Sequence, residues 1–246
     1  MCIRDSPNLV GAGDPNVLLT SSAQTSVDLA APLAAGLTYH WKVDEVADDG
    51  TVTPGRVWHF TVDPEIFAED FESYEPNSDM QGQGGWKGWF NDPAASALAS
   101  DANDPVGAGA VEILGSSDLV HEFDVDGGTV TFAAMQYIPS GTTGTTYFIL
   151  LSSYNDQNVG MEWSVQTTFD LATGAITAYS GATGAATIVY DQWVEVKCVI
   201  DLDNNTVEDY YNGTLIDSRA WSGSGKTTLQ CVDLYGAGAS SVSYTH

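Results

Sequence analysis

Apolar and polar residues alternate along most of this chain with a period of two, which puts successive side chains on opposite faces of a strand. The pattern is clearest over Thr206 to Tyr211 and its return Thr214 to Asp217. These two runs flank Asn212-Gly213, whose tolerance of positive φ makes a two-residue hairpin turn. Upstream the alternation predicts strands over 111–114, 119–125, 129–138, 147–154, 161–170, 175–180, 186–190 and 193–202, and downstream a last one over 229–234. Nearer the start, Phe67 to Tyr74 alternates apolar and acidic residues and predicts a strand with one buried face, followed by a turn at Gln81-Gly82-Gln83-Gly84-Gly85. Only one helix is expected: Asp92 as N-cap, Pro93 in the first turn and Ala94 to Ala99 behind them. Before Asp63-Pro64-Glu65 lie three more strand patterns, at 25–29, 37–46 and 57–62, with Asp48-Asp49-Gly50 as a turn. The prediction is an all-β chain in two domains, 7–63 and 64–241, the second a two-sheet sandwich of jelly-roll type.

Composition narrows the partners. The 246 residues hold 7 Lys+Arg against 33 Asp+Glu, a formal charge of −26. Such a surface repels phosphate backbones and anionic lipid, so nucleic acid is excluded as an expected partner. The longest wholly apolar run, Tyr147 to Leu151, falls far short of the roughly 20 residues that span a bilayer, so no membrane insertion is expected. A Lys-poor, hydrated acidic surface suits a salty exterior, and the expected location is extracellular, secreted or at the cell surface. The opening Met1 to Ser6 and the closing Val242 to His246 resemble translated adapter sequence, which predicts a fragment of a longer chain with further domains. Setting Cys2 aside leaves Cys198 and Cys231, each inside a strand pattern, read as buried thiols or as a bridge between neighbouring strands.

Two family likenesses rest on particular residues. Leu33-Ala34-Ala35-Gly36-Leu37-Thr38-Tyr39, leading into His40-Trp41-Lys42-Val43, resembles the second half of a fibronectin type III domain, with Tyr39 as its tyrosine corner. This likeness implies a sandwich truncated at its front. Phe71-Glu72-Ser73-Tyr74, Gly82-Gln83-Gly84-Gly85-Trp86, the run Trp193-Val194-Glu195-Val196, and Asp201-Leu202-Asp203-Asn204-Asn205-Thr206 before Tyr210-Tyr211-Asn212-Gly213-Thr214-Leu215 together resemble the concanavalin A-like lectin/glucanase group. Within that group the likeness is close to laminin-G-like modules. It implies a jelly roll, a fold that hosts lectins, hydrolases, lyases and spacers.

Glucanases in that group carry Glu-x-Asp-x-x-Glu on one strand, since residues two apart share a face. The nearest match here, Glu122-Phe123-Asp124-Val125-Asp126-Gly127, has Gly at the third acidic position, so no catalytic set is assigned. Lyases of similar fold need cations to neutralise a uronate, and the chain has three Arg: Arg4, Arg56 and Arg219. Neither a Cys-x-x-Cys pair nor a His-x-x-x-His zinc pattern occurs. Asp70 and Glu72, with Asp233 from the last strand, are the candidate ligands of a structural Ca²⁺, on the premise that first and last strands are neighbours.

Sugar recognition calls for aromatic faces against pyranose C–H groups and neutral polar groups for hydroxyls. Trp86 and Trp89 follow the glycine-rich turn as a candidate platform. Trp89, hemmed in by Gly88 and Phe90, is expected to lean toward the core, and Trp86 to be the contact. Strict alternation over 161–170 puts Trp163, Val165, Thr167 and Phe169 on one face, and Glu162, Ser164, Gln166 and Thr168 on the other. Ser164 and Gln166 are therefore the candidate polar contacts. The expected function is a non-catalytic accessory or adhesion segment that binds polysaccharide or another glycan. The alternatives are a glycoside hydrolase using Glu122 and Asp124, and a spacer that binds nothing.

Overall fold

The structure, a computed structural model, describes residues 2–4 by their backbone and residues 36–62, 65–103, 109–238 and 241–245 in full. The chain divides into two compact units, Met1–Ala68 and Glu69–His246. In the first unit, β1 (Cys2–Arg4), β2 (Thr38–Lys42) and β5 (Trp58–Thr61) form a three-stranded antiparallel sheet, while β3 (Glu45–Val46) pairs with β4 (Val52–Thr53). Tyr39, the expected corner residue, is half-buried on β2 with its ring stacked on Phe60 at 6.0 Å. The strand expected at 25–29 and the Leu33-Ala34-Ala35 part of the corner motif lie outside the described residues.

The second unit is a two-sheet antiparallel β-sandwich of jelly-roll type. Its strands are β6 (Trp86–Gly88), β7 (Leu98–Ser100), β8 (Ala110–Ile113), β9 (Asp118–Asp126), β10 (Thr129–Tyr137), β11 (Thr145–Ser153), β12 (Glu162–Asp170), β13 (Ala175–Thr177), β14 (Thr183–Thr187), β15 (Trp193–Asp201), β16 (Thr206–Tyr211), β17 (Thr214–Ala220), β18 (Thr228–Ala237) and β19 (Val242–Thr245). Sheet 1 has the order β17-β16-β15-β10-β19-β8-β7, and sheet 2 the order β14-β13-β12-β11-β18-β9-β6. Asn212 and Gly213 both take positive φ, 49° and 72°, as the hairpin between β16 and β17 demands. No α-helix occurs among the described residues.

The two sheets meet through aromatic side chains. Phe148 of β11 lies 5.8 Å from Phe132 of β10 and 6.5 Å from Tyr244 of β19, and Phe169 of β12 lies 5.6 Å from Tyr211 of β16. Leu150, Phe148, Phe169 and Ile200 are fully buried, and burial of that kind stabilises by roughly 1.5–3 kcal/mol per side chain. Cys198 and Cys231 are both buried free thiols.

Three expectations are corrected. Phe67 to Tyr74 forms no strand. Glu69 and Asp70 turn back to accept the backbone N–H groups of Phe71 (2.9 Å) and Glu72 (3.1 Å), and Phe71 sits at φ 57°, so acidic side chains take the donors a ladder would have used. The expected helix shrinks to a single 3₁₀ turn, Pro93–Ala95, because Ser96 is extended and Leu98–Ser100 pairs with β8. The closing residues, read as lying beyond the domain, are placed as β19 between β8 and β10, with Val242 and Tyr244 at 0% and 1% exposure.

Candidate functional site

The side chains that alternate with Phe148 and Phe169 face away from sheet 1. On β11 these are Tyr147, Ile149 and Leu151. Residues directly opposite across antiparallel strands share a face, so the register extends this outer face over five strands. One row runs Thr168, Tyr147, Tyr235, Asp118; the next runs Gln166, Ile149, Asp233, Val120, Lys87; a third runs Trp163, Leu151, Cys231, Glu122. Ile149, Leu151, Val120, Cys231 and Tyr154 form a buried apolar cluster, covered by the half-buried Trp89, Tyr147, Met161, Trp163 and Tyr235. The result is an aromatic surface laid over an apolar floor on a face that points to solvent. Tyr147 and Tyr235 stack at 5.3 Å, and Trp89 lies 5.1 Å from Tyr154 and 6.0 Å from Trp163.

Charge is tightly managed here. Lys87 contacts Glu122 at 2.5 Å and Asp156 at 2.7 Å, with its ammonium 5.5 Å from the Tyr154 ring centre. Burial alone would lower the Lys87 pKa, but its hydrogen bonds to the two carboxylates outweigh that and raise it. Tyr154 donates to Asp156 (3.1 Å) and accepts from the Phe90 backbone N–H (3.1 Å), which ties the loop after β6 to the loop after β11. Burial, reinforced by the Asp156 hydrogen bond, pushes the Tyr154 hydroxyl far above its ordinary pKa.

At the centre of the face, Asp233 is 3% exposed, with Asp118 on β9 as its diagonal neighbour. Burial pushes Asp233 well above the carboxylate range, the Asp118 charge adds to it, and burial raises Asp118 as well. Such a pair titrates as a unit that keeps one proton where an isolated carboxyl would have lost it.

The residues singled out from sequence are scattered by the fold. Trp86, the expected contact, is 4% exposed and packs against Phe71 at 5.6 Å and His121 at 5.1 Å; Trp89, expected toward the core, is the one on the outer face. Gln166 is on that face and half-buried. Ser164 is 1% exposed, because a β-bulge between the Leu150 and Leu151 pairings makes it the extra residue of β12 and turns it inward. The same bulge moves Trp163 onto the outer face beside Gln166. Asp70 and Glu72 are held in the turn before β6, where Glu72 Oε1 accepts the Gly109 N–H at 3.0 Å, while Asp233 lies mid-strand between Ile149 and Val120. Among the described residues no group of three His, Cys, Asp or Glu side chains converges on a point that would hold a metal ion. Glu122 is held by Lys87, and both it and Asp124 are exposed on β9. Sequence reasoning missed Tyr147, Tyr235, Tyr154 and Asp118; the available signal was the pairing of β11 with β18, which no local pattern discloses.

No family model matches the chain, and no curated protein matches its sequence. Solved structures do resemble it. An endo-β-1,4-glucuronan lyase from the fungus Trichoderma reesei is 10% identical with a TM-score of 0.42, the match covering 73% of this chain and 92% of that one. The carbohydrate binding module CBM66 from Bacillus subtilis is 12% identical with a TM-score of 0.37, covering 66% and 92%. Galectin LEC-6 of Caenorhabditis elegans is 11% identical with a TM-score of 0.33, covering 51% and 89%. These are similarities of β-sandwich architecture and say nothing of what this chain binds. The class defined by fold and site is an all-β sandwich whose sheet 2 carries aromatic side chains on its outer face.

Proposed function

We propose that the second unit binds glycan on the outer face of sheet 2, as a non-catalytic accessory or adhesion segment of a longer secreted or surface protein. The observation that carries this reading is the set of half-buried rings, Tyr147, Tyr235, Trp163 and Trp89, interleaved with Gln166 and Thr168. Rings fixed over an apolar floor offer flat faces to pyranose C–H groups at little entropic cost, and the amide and hydroxyl serve sugar hydroxyls. A glycan array probed with the full chain tests it. Binding that is lost in Trp163→Ala and Tyr235→Ala is the expected result, and an array with no signal leaves the spacer reading.

A hydrolase reading has one observation in its favour, the neighbouring carboxyls of Asp118 and Asp233. Two-carboxylate glycosidases hold their acids about 5 Å or about 6.5–9.5 Å apart, leaving room for the sugar or a water. Asp233 is 3% exposed between Ile149 and Val120 and presents no acid to a bound sugar, and this geometry favours binding over cleavage. The Glu122 and Asp124 alternative loses its first acid to the Lys87 ion pair.

A further inference from the structure

Where β12 and the segment after β13 approach the end of β17, the second unit has a cavity of about 450 Å³ lined by Met161, Glu162, Trp163, Tyr179, Arg219 and Trp221. Its volume lies within the roughly 300–1,000 Å³ of small-ligand sites. Trp163 belongs to both places: its ring covers the outer-face cluster and also forms a wall of the cavity. The cavity therefore adjoins the proposed glycan face at Trp163.

Its polar groups are fixed in advance. The Glu162 carboxylate accepts from Ser222 Oγ at 2.7 Å and the Ser224 N–H at 3.1 Å, and also from Ser224 Oγ. Burial would raise its pKa, but these hydrogen bonds outweigh burial and lower it, so the group stands ionised as an acceptor. Arg219 Nη1 is 2.8 Å from Asp209 and 3.3 Å from Asp217, and Nη2 donates to the Ser164 carbonyl. Asp217 also accepts from the Ser180 hydroxyl at 2.9 Å, which holds the turn carrying Tyr179. Tyr179 is 48% exposed, and the Arg219 guanidinium lies 5.3 Å from its ring centre.

The charge count decides the ligand. Arg219, the cation of the cavity, already faces two carboxylates, and Glu162 adds a third negative group. Lys87, the cation of the adjoining face, also faces two carboxylates, Glu122 and Asp156. Neither cation has charge left for a uronate or a sulfate, and any anion entering meets an excess of carboxylates. A neutral sugar meets what it needs: Trp163 and Tyr179 rings for its C–H faces and, for a hydroxyl, Glu162 Oε2, which accepts one hydrogen bond where Oε1 accepts two.

Resting on the glycan-binding reading, we propose that this cavity is a subsite for one residue of a neutral glycan, and that it discriminates against acidic polysaccharides. The full chain is titrated calorimetrically with neutral polymers (β-glucan, xylan, mannan) and with alginate and polygalacturonate. A neutral polymer binds and the acidic ones do not. Tyr179→Ala, an exposed position whose truncation spares the core, and Glu162→Gln each weaken that binding by about tenfold, near the 1.4 kcal/mol expected for losing one stacked ring or one charged acceptor. Melting curves matching the parent confirm that each variant is folded. Preference for alginate or polygalacturonate overturns the inference, as does parent-like affinity in both variants while Trp163→Ala binds nothing; in both cases the glycan face stands without the subsite. Failure of the parent to bind any polymer removes the glycan reading itself, and the subsite with it.

Discussion

Truncating Trp86 to Ala separates a core tryptophan from a recognition tryptophan. The side chain is 4% exposed, packed between Phe71 and His121, with its indole N–H 3.3 Å from Glu69 Oε2. Removing a buried indole costs about 3–5 kcal/mol, the transfer term plus the cavity left behind. The lost N–H adds little, because Tyr74 still donates to the same Glu69 oxygen at 2.7 Å. For a domain of about 150–250 residues each kcal/mol lowers the melting temperature by about 2–4 °C, so a fall of about 6–20 °C is expected. Against a total stability of about 5–15 kcal/mol, that loss leaves the unit marginal. The assay is thermal melting by circular dichroism, with Trp163→Ala as the comparison. Trp163 is half-buried, so its variant melts closer to the parent but loses glycan. A Trp86→Ala protein that melts within about 2 °C of the parent while losing glycan binding would refute the reasoning and restore Trp86 as the contact.

Asp233→Asn tests the carboxyl pair. A group whose folded pKa is raised contributes stability that is fully present below its unfolded pKa and is lost as pH rises through the folded value. The parent should therefore lose stability as pH rises above the ordinary carboxylate range. The Asn variant, which has no titrating proton at that position, should show a flatter profile; parallel melting-temperature curves would count against a shared proton. Gly88→Ala should lower the melting temperature by several degrees, since its Cβ would fall 2.0 Å from the Asp92 carbonyl oxygen and 2.9 Å from the Ser96 nitrogen, both backbone atoms. Excess chelator at fixed ionic strength should leave the melting curve unchanged, because Asp70 and Glu72 already serve backbone donors away from Asp233; a drop would place a bound cation in the fold.

Local pattern alone dictates the all-β class and most of the strands. Alternation between small turn residues is a local property, and β10, β15 and β16 with their Asn-Gly hairpin follow it closely. Gln166 was legible as a surface residue for the same reason. Where the local pattern had two satisfactions, only tertiary structure chose. Phe67 to Tyr74 alternates like a strand, yet its carboxylates satisfy backbone N–H groups within the turn and no neighbouring strand pairs with it. The site depended on long-range pairing most of all. The extra residue at Ser164 shifts the phase of β12 by one, which turns Ser164 inward and brings Trp163 out beside Gln166. Asp118 meets Asp233, and Tyr147 meets Tyr235, through strands more than eighty residues apart in sequence. A period of two records which residues share a face, but neither a bulge nor a strand partner leaves a mark in that period, because both arise from fitting one strand against another.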